Sequence, residues 1–116
     1  MKFNVIIHPD NVRVKANNID GWVYIQDEIH FTVSMNENQY CKEFVRKKIL
    51  EGAVRKRIRE YIENTILCTE KATYDDNGNE LSYENIPGKV EGKMILGNVP
   101  WYSAKLIKEG NENEVS

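Results

Sequence analysis

The chain has 116 residues, 41% of them hydrophobic and 29% charged, with a formal net charge of −2. This is enough apolar material for one core and too little length for several, which excludes a disordered chain and points to a single domain. The near-neutral balance excludes a chain that is basic throughout, and no run of about 18 apolar residues offers a membrane span.

Strand patterns come first. Lys2 to Ile7 puts Phe3, Val5 and Ile7 on one face. His8-Pro9-Asp10 follows too soon for a secretory signal core of about 7–15 apolar residues, so a cytoplasmic protein is expected. Val12 to Ala16 alternates apolar and polar, Asp20-Gly21 is a turn signal, and Trp22 to Gln26 is a further strand. Ile29 to Met35 is the cleanest alternation, with Ile29, Phe31, Val33 and Met35 facing one way. Residues 12–35 are therefore expected to form a three-stranded antiparallel meander.

The period then changes. Between about 39 and 66, Phe44, Val45, Ile49, Leu50, Ala53, Val54, Ile58, Tyr61, Ile62 and Ile66 recur at helical spacing. Asn36 or Asn38 caps this helix, Glu43/Lys47 and Glu51/Arg55 support it as i,i+4 pairs, and Gly52 is where it would bend. Twenty-seven helical residues reach roughly 40 Å, as long as a compact domain of this size is wide. An overhanging apolar stripe would favour a homo-oligomer.

Strands return afterwards. Leu67 to Tyr74 and Leu81 to Glu84 flank Asn77-Gly78, the strongest hairpin signal in the chain. Val90 to Leu96 and Trp101 to Lys108 follow, separated by Gly97-Asn98-Val99-Pro100, and 109–116 is expected to be a flexible polar tail beyond a domain of 1–108. The fold expected is α+β: an antiparallel sheet of about six strands with one long amphipathic helix packed across it.

Charge is segregated. Residues 40–66 carry eight Lys/Arg against four Glu, a net +4, while the remainder carries eight against fourteen, −6. Arg46, Lys47, Arg55, Lys56, Arg57 and Arg59 are the candidate binding residues, for an anionic partner: an acidic protein surface, a nucleic acid or a phosphorylated small molecule. Trp101 and Tyr102, after Pro100, are candidate anchors for a protein partner bound at a sheet edge, the reading for an inhibitor or adaptor. A third reading is a hydrophobic-ligand carrier or modest enzyme with a pocket between helix and sheet, using His8, His30 and Tyr24. Trp22 is assigned to the core or its margin.

Other constellations reduce to structure. Gly88 to Met94 lacks the spacing and the following Ser/Thr of a phosphate loop, and Asp75 to Glu80 lacks the ligand spacing of a calcium loop. Cys41 and Cys68 fall at opposite ends of the helix, which precludes a shared disulfide, and each is expected to be a small buried hydrophobe. No catalytic, metal or cofactor signature is present, so a non-catalytic binding protein is the expected class. Size and composition are similar to those of small phage and mobile-element proteins, although no motif carries that likeness.

Overall fold

The computed structural model describes residues 1–9, 12–97 and 101–107. In chain order the elements are β1 (Lys2–Ile7), β2 (Arg13–Lys15), β3 (Val23–Tyr24), β4 (Ile29–Ser34), α1 (Glu37–Cys41), α2 (Glu43–Thr65), β5 (Thr69–Tyr74), β6 (Glu80–Ile86), β7 (Ile95–Gly97) and β8 (Tyr102–Ile107). The α+β class holds: antiparallel strands and one long helix packed on them.

Strand pairing departs from a meander. β2 pairs with β3 as the turn at Gly21 requires, but β4 turns away from β3 and pairs with β1. Among the described residues three sheets result: β4-β1-β8, β3-β2-β7 and the hairpin β5-β6. Alternation fixes which way side chains face, not which strand lies alongside, so the expected faces are kept while β4 takes β1 instead of β3 as its neighbour.

In the first sheet Phe3, Val5 and Ile7 stand opposite Val33, Phe31 and Ile29 on one side and Leu106, Ala104 and Tyr102 on the other. Val12, Val14 and Ile25 come from the second sheet and its flanks. Leu50, Val54, Ile58 and Ile62, spaced four apart on α2, meet them in one core. Val54, Ile58 and Ile62 are completely buried.

The helical segment is interrupted at Lys42, not Gly52. Asn36 caps α1 through a capping box with Gln39, one of the two caps expected. Lys42 then takes extended backbone angles. The Tyr40 carbonyl, freed from the helical ladder, accepts from Arg46 Nη1 at 2.6 Å, and the same guanidinium lies 5.1 Å from the Tyr40 ring. Tyr40 itself packs on Phe3 at 5.9 Å. Packing and a cation therefore hold the break. α2 runs through Gly52 unbroken, with open space where a Cβ would sit.

Two long-range staples fasten α2. Glu63 accepts from the Val90 amide at 2.8 Å through its side chain and from the Gly88 amide at 3.0 Å through its carbonyl. Tyr61 donates to Asp27 at 3.0 Å and accepts from the Gln26 amide. Gly92, at φ +74°, lies so close to Asn17 that a Cβ there would strike its side-chain amide, which accounts for a glycine in the 88–94 segment.

The hairpin stands apart. Every residue of β6 is exposed, and of β5 only Ala72 is half-buried. The Cα radius of gyration is 18.8 Å, against about 13 Å for a compact chain of this length. A ribbon clear of the core contributes to that excess.

Candidate functional site

Three surfaces of the molecule offer chemistry to a partner. The first is α2. At about 100° per residue, the successive residues Arg55, Lys56 and Arg57 point three different ways, so one helix face cannot present all three. Arg55 turns inward and donates from Nη2 to the Met94 carbonyl at 2.5 Å. It is a staple between the helix and the segment before β7, and the Glu51/Arg55 and Glu43/Lys47 ion pairs do not form among the described residues. Arg46 is committed to Tyr40. Lys47 is exposed, and Arg59 is half-buried.

Lys56 and Arg57 do come together. With Ala53 and Glu60 they form one wall of an open groove of about 320 Å³ whose other wall is Phe31, Thr32 and Val33 of β4. The Arg57 guanidinium lies 4.9 Å from the Phe31 ring, and its Nε is 4.0 Å from Glu60. Among the described strands β4 ends its sheet, so one side of it carries unpaired backbone groups, and three of its six residues, Phe31 to Val33, line this groove. The groove is open and bordered by charge, unlike the enclosed apolar pocket between helix and sheet that a ligand carrier would use.

The second surface is the outer side of β3-β2-β7. Arg13 stands opposite Tyr24 and Gly97, and Lys15 opposite Ile95. Arg13 lies 4.5 Å and Lys15 5.9 Å from the Trp22 ring. Trp22, Tyr24 and Ile95 are 39%, 46% and 50% exposed, which sets Trp22 beyond the core or core margin expected for it. Two cations interleaved with two aromatic rings form this face. The signal for it was present in the sequence: Arg13 and Lys15 alternate on one strand, and Trp22 and Tyr24 follow across the turn.

The third is the hairpin. Its turn is organised by Asp75, whose carboxylate accepts from the Asn77 and Asn79 amides at 2.9 and 2.8 Å, with Gly78 at φ +85°. Asp75 to Asn79 thus form the turn that Asn77-Gly78 signals. The Asn79 amide above all holds the Asp75 carboxyl below its ordinary 3.8.

The remaining sequence candidates are placed as follows. Trp101 is half-buried against the core, with its carbonyl bonded to the His8 amide at 3.1 Å and its Nε1 buried without a partner. Tyr102 is also half-buried beside Ile7, and that burial, with Glu51 nearby, raises its phenol above the ordinary value. Both rings therefore support the core more than they reach out from it. His30 is exposed and sits 2.5 Å from Glu28. Among the described residues no three His, Cys, Asp or Glu side chains are grouped to hold a metal ion. Cys41 is exposed rather than buried, Cys68 is half-buried, and both are free thiols. Among the described residues no helix is long and apolar enough to cross a membrane.

No protein-family model matches the chain, and comparison with curated proteins and with solved structures gave no match.

Proposed function

We propose that this is a non-catalytic binding protein whose anionic partner is an extended acidic segment of another protein, held between β4 and α2. The observation that carries this reading is the groove itself: an unpaired strand edge on one side, Lys56 and Arg57 on the other, and Phe31 with Ala53 between them. An added strand would pair its backbone with the β4 edge, and alternate side chains would point toward the cations. The edge used here is β4, on the opposite side of the sheet from Trp101 and Tyr102 at β8, where the sequence suggests a sheet-edge partner. The anchors are Lys56 and Arg57; Arg46 and Arg55 act inside the fold.

Fluorescence anisotropy with labelled peptides alternating Glu and Val tests it, beside a Lys/Val control. The Glu peptide should bind and weaken with salt, the Lys peptide should not, and Lys56→Glu/Arg57→Glu should cost about tenfold or more in affinity. Equal binding of both peptides, no binding of either, or indifference to the double variant would overturn the reading.

A second reading rests on the Trp22 face. Exposed rings beside cations suit stacked bases and phosphates of single-stranded nucleic acid. Labelled single-stranded oligonucleotides titrated at about 50 and 200 mM salt would show steep salt dependence, and Trp22→Ala would abolish it. The absence of binding at low salt removes this reading.

A further inference from the structure

The β5-β6 ribbon has two unlike faces. Ala72 pairs with Tyr83, and Tyr74 meets the bulged Glu80–Leu81 end of β6, so Tyr74, Leu81 and Tyr83 ride on one side. Thr73 with Ser82, and Lys71 with Glu84, ride on the other. The first side also carries Glu70, which accepts from the Tyr83 hydroxyl, and Asn85 near its base; its large side chains are bare, with Tyr74 61%, Leu81 67% and Tyr83 56% exposed. A lone two-stranded ribbon is marginal in water until one face is covered. The hairpin is also acidic, with one Lys against five Asp/Glu between 67 and 88, a net −4.

The matching surface lies at the opposite end of α2. Phe44 is 72% exposed, with Lys48 Nζ 5.3 Å from its ring and Lys47 beside it. Lys42 adds to this positive end, and Glu43 is the one acid in it. A chain cannot close this contact on itself. Phe44 is 21 residues from Thr65, about 31 Å along the helix, whereas six-residue strands reach about 20 Å. A second copy with its α2 antiparallel brings its Phe44 to the hairpin, and two-fold symmetry then makes every contact twice.

We infer that the β5-β6 hairpin is a self-association arm: in a two-fold dimer, the Tyr74-Leu81-Tyr83 face of each copy packs on Phe44 of the other, with Asp76 and Glu80 against Lys47 and Lys48. The inference stands apart from the groove at β4 and shares no residue with it.

Sedimentation equilibrium of the full chain over a wide concentration range tests it. The expected mass is twice 13.5 kDa. Leu81→Asp and Phe44→Asp should each raise the dimer dissociation constant about tenfold or more, since buried aromatic and aliphatic anchors dominate such contacts. Lys47→Glu/Lys48→Glu should do the same, and adding Asp76→Lys/Glu80→Lys should restore the dimer. All these positions are exposed, and far-UV circular dichroism verifies that each variant stays folded. A monomer at every concentration overturns the inference. So does a dimer lost in Leu81→Asp but indifferent to Phe44 and Lys47/Lys48, which would mean that the ribbons pair with each other.

Discussion

The body of the molecule and its hairpin are built from the same alphabet of alternating residues, yet they end in opposite states. In the body Phe3, Val5 and Ile7 alternate with Lys2, Asn4 and Ile6, and the first three are buried. In the hairpin Tyr74 on β5 and Leu81 and Tyr83 on β6 fall on one side across a bulge, and all three face solvent. The difference is what lies opposite: α2 and a second sheet cover the body strands, and none of the described residues buries the apolar side chains of the ribbon. Periodicity reports that a face is apolar; only topology decides whether it is core or contact surface.

The sharpest way to break this comparison is to remove apolar atoms from each region. Ile58→Ala empties a fully buried site on α2 and should cost about 2–5 kcal/mol. At about 4 °C per kcal/mol, thermal unfolding should drop by about 8–20 °C. Leu81→Ala in dilute protein should stay within about 0.5 kcal/mol, as for other exposed positions. A large loss from Leu81→Ala at high dilution would mean that the ribbon is part of the core's cooperative unit.

A smaller effect separates the helix cations. Arg55→Gln loses a charged donor to the Met94 carbonyl, a bond worth about 1.5–3 kcal/mol, and should lower stability by a sizeable part of that. Lys56→Gln, on the exposed side of the same turn, should change unfolding by less than about 0.5 kcal/mol while weakening acidic-peptide binding. Equal effects of the two on urea unfolding would deny the division between a structural and a binding cation.

That division marks the limit of what could be read from residues alone. The legible parts are those a local rule fixes. Asn36 caps because its side chain reaches the Gln39 amide, Asn77-Gly78 turns because glycine accepts positive φ, and the helix stripe is buried because its spacing makes a stripe. What stayed hidden depends on residues far away in sequence. Arg55 finds Met94 across 39 positions, and β1 pairs with β8 from the other end of the chain. The groove was half legible: Lys56 and Arg57 stood out by charge, but nothing in their neighbourhood points to Phe31–Val33 as the facing wall. Lys42 shows the same limit, since the interruption there rests on Tyr40 packing against Phe3, near the chain start.

Gly52 turns the comparison around, because here the sequence looks weaker than the structure requires. The position is helical and exposed, with open space for a Cβ. Gly52→Ala should therefore stabilise by about 0.5–1 kcal/mol, read as a rise in the urea midpoint at constant slope. A destabilised variant would show that the helix uses the glycine as a hinge after all.

The smallest effect is confined to the hairpin tip and separates it from the body by pH. Asp75 accepts from the Asn77 and Asn79 amides, and its carboxyl is held below 3.8, chiefly by the Asn79 amide. A carboxyl whose pKa is depressed in the folded state adds stability that is fully present above the unfolded value of 3.8 and fades as the pH falls through the folded value. Acid should therefore loosen the turn, moving the Asn77 and Asn79 amide chemical shifts with a midpoint below 3.8, while Val54 and Ile58, buried in an apolar core, keep theirs. Asp75→Asn retains an acceptor oxygen but cannot titrate, so its turn amides should show no such step. If wild-type core shifts move in step with the turn, the ribbon and the body melt together, and the contrast between them holds for packing but not for stability.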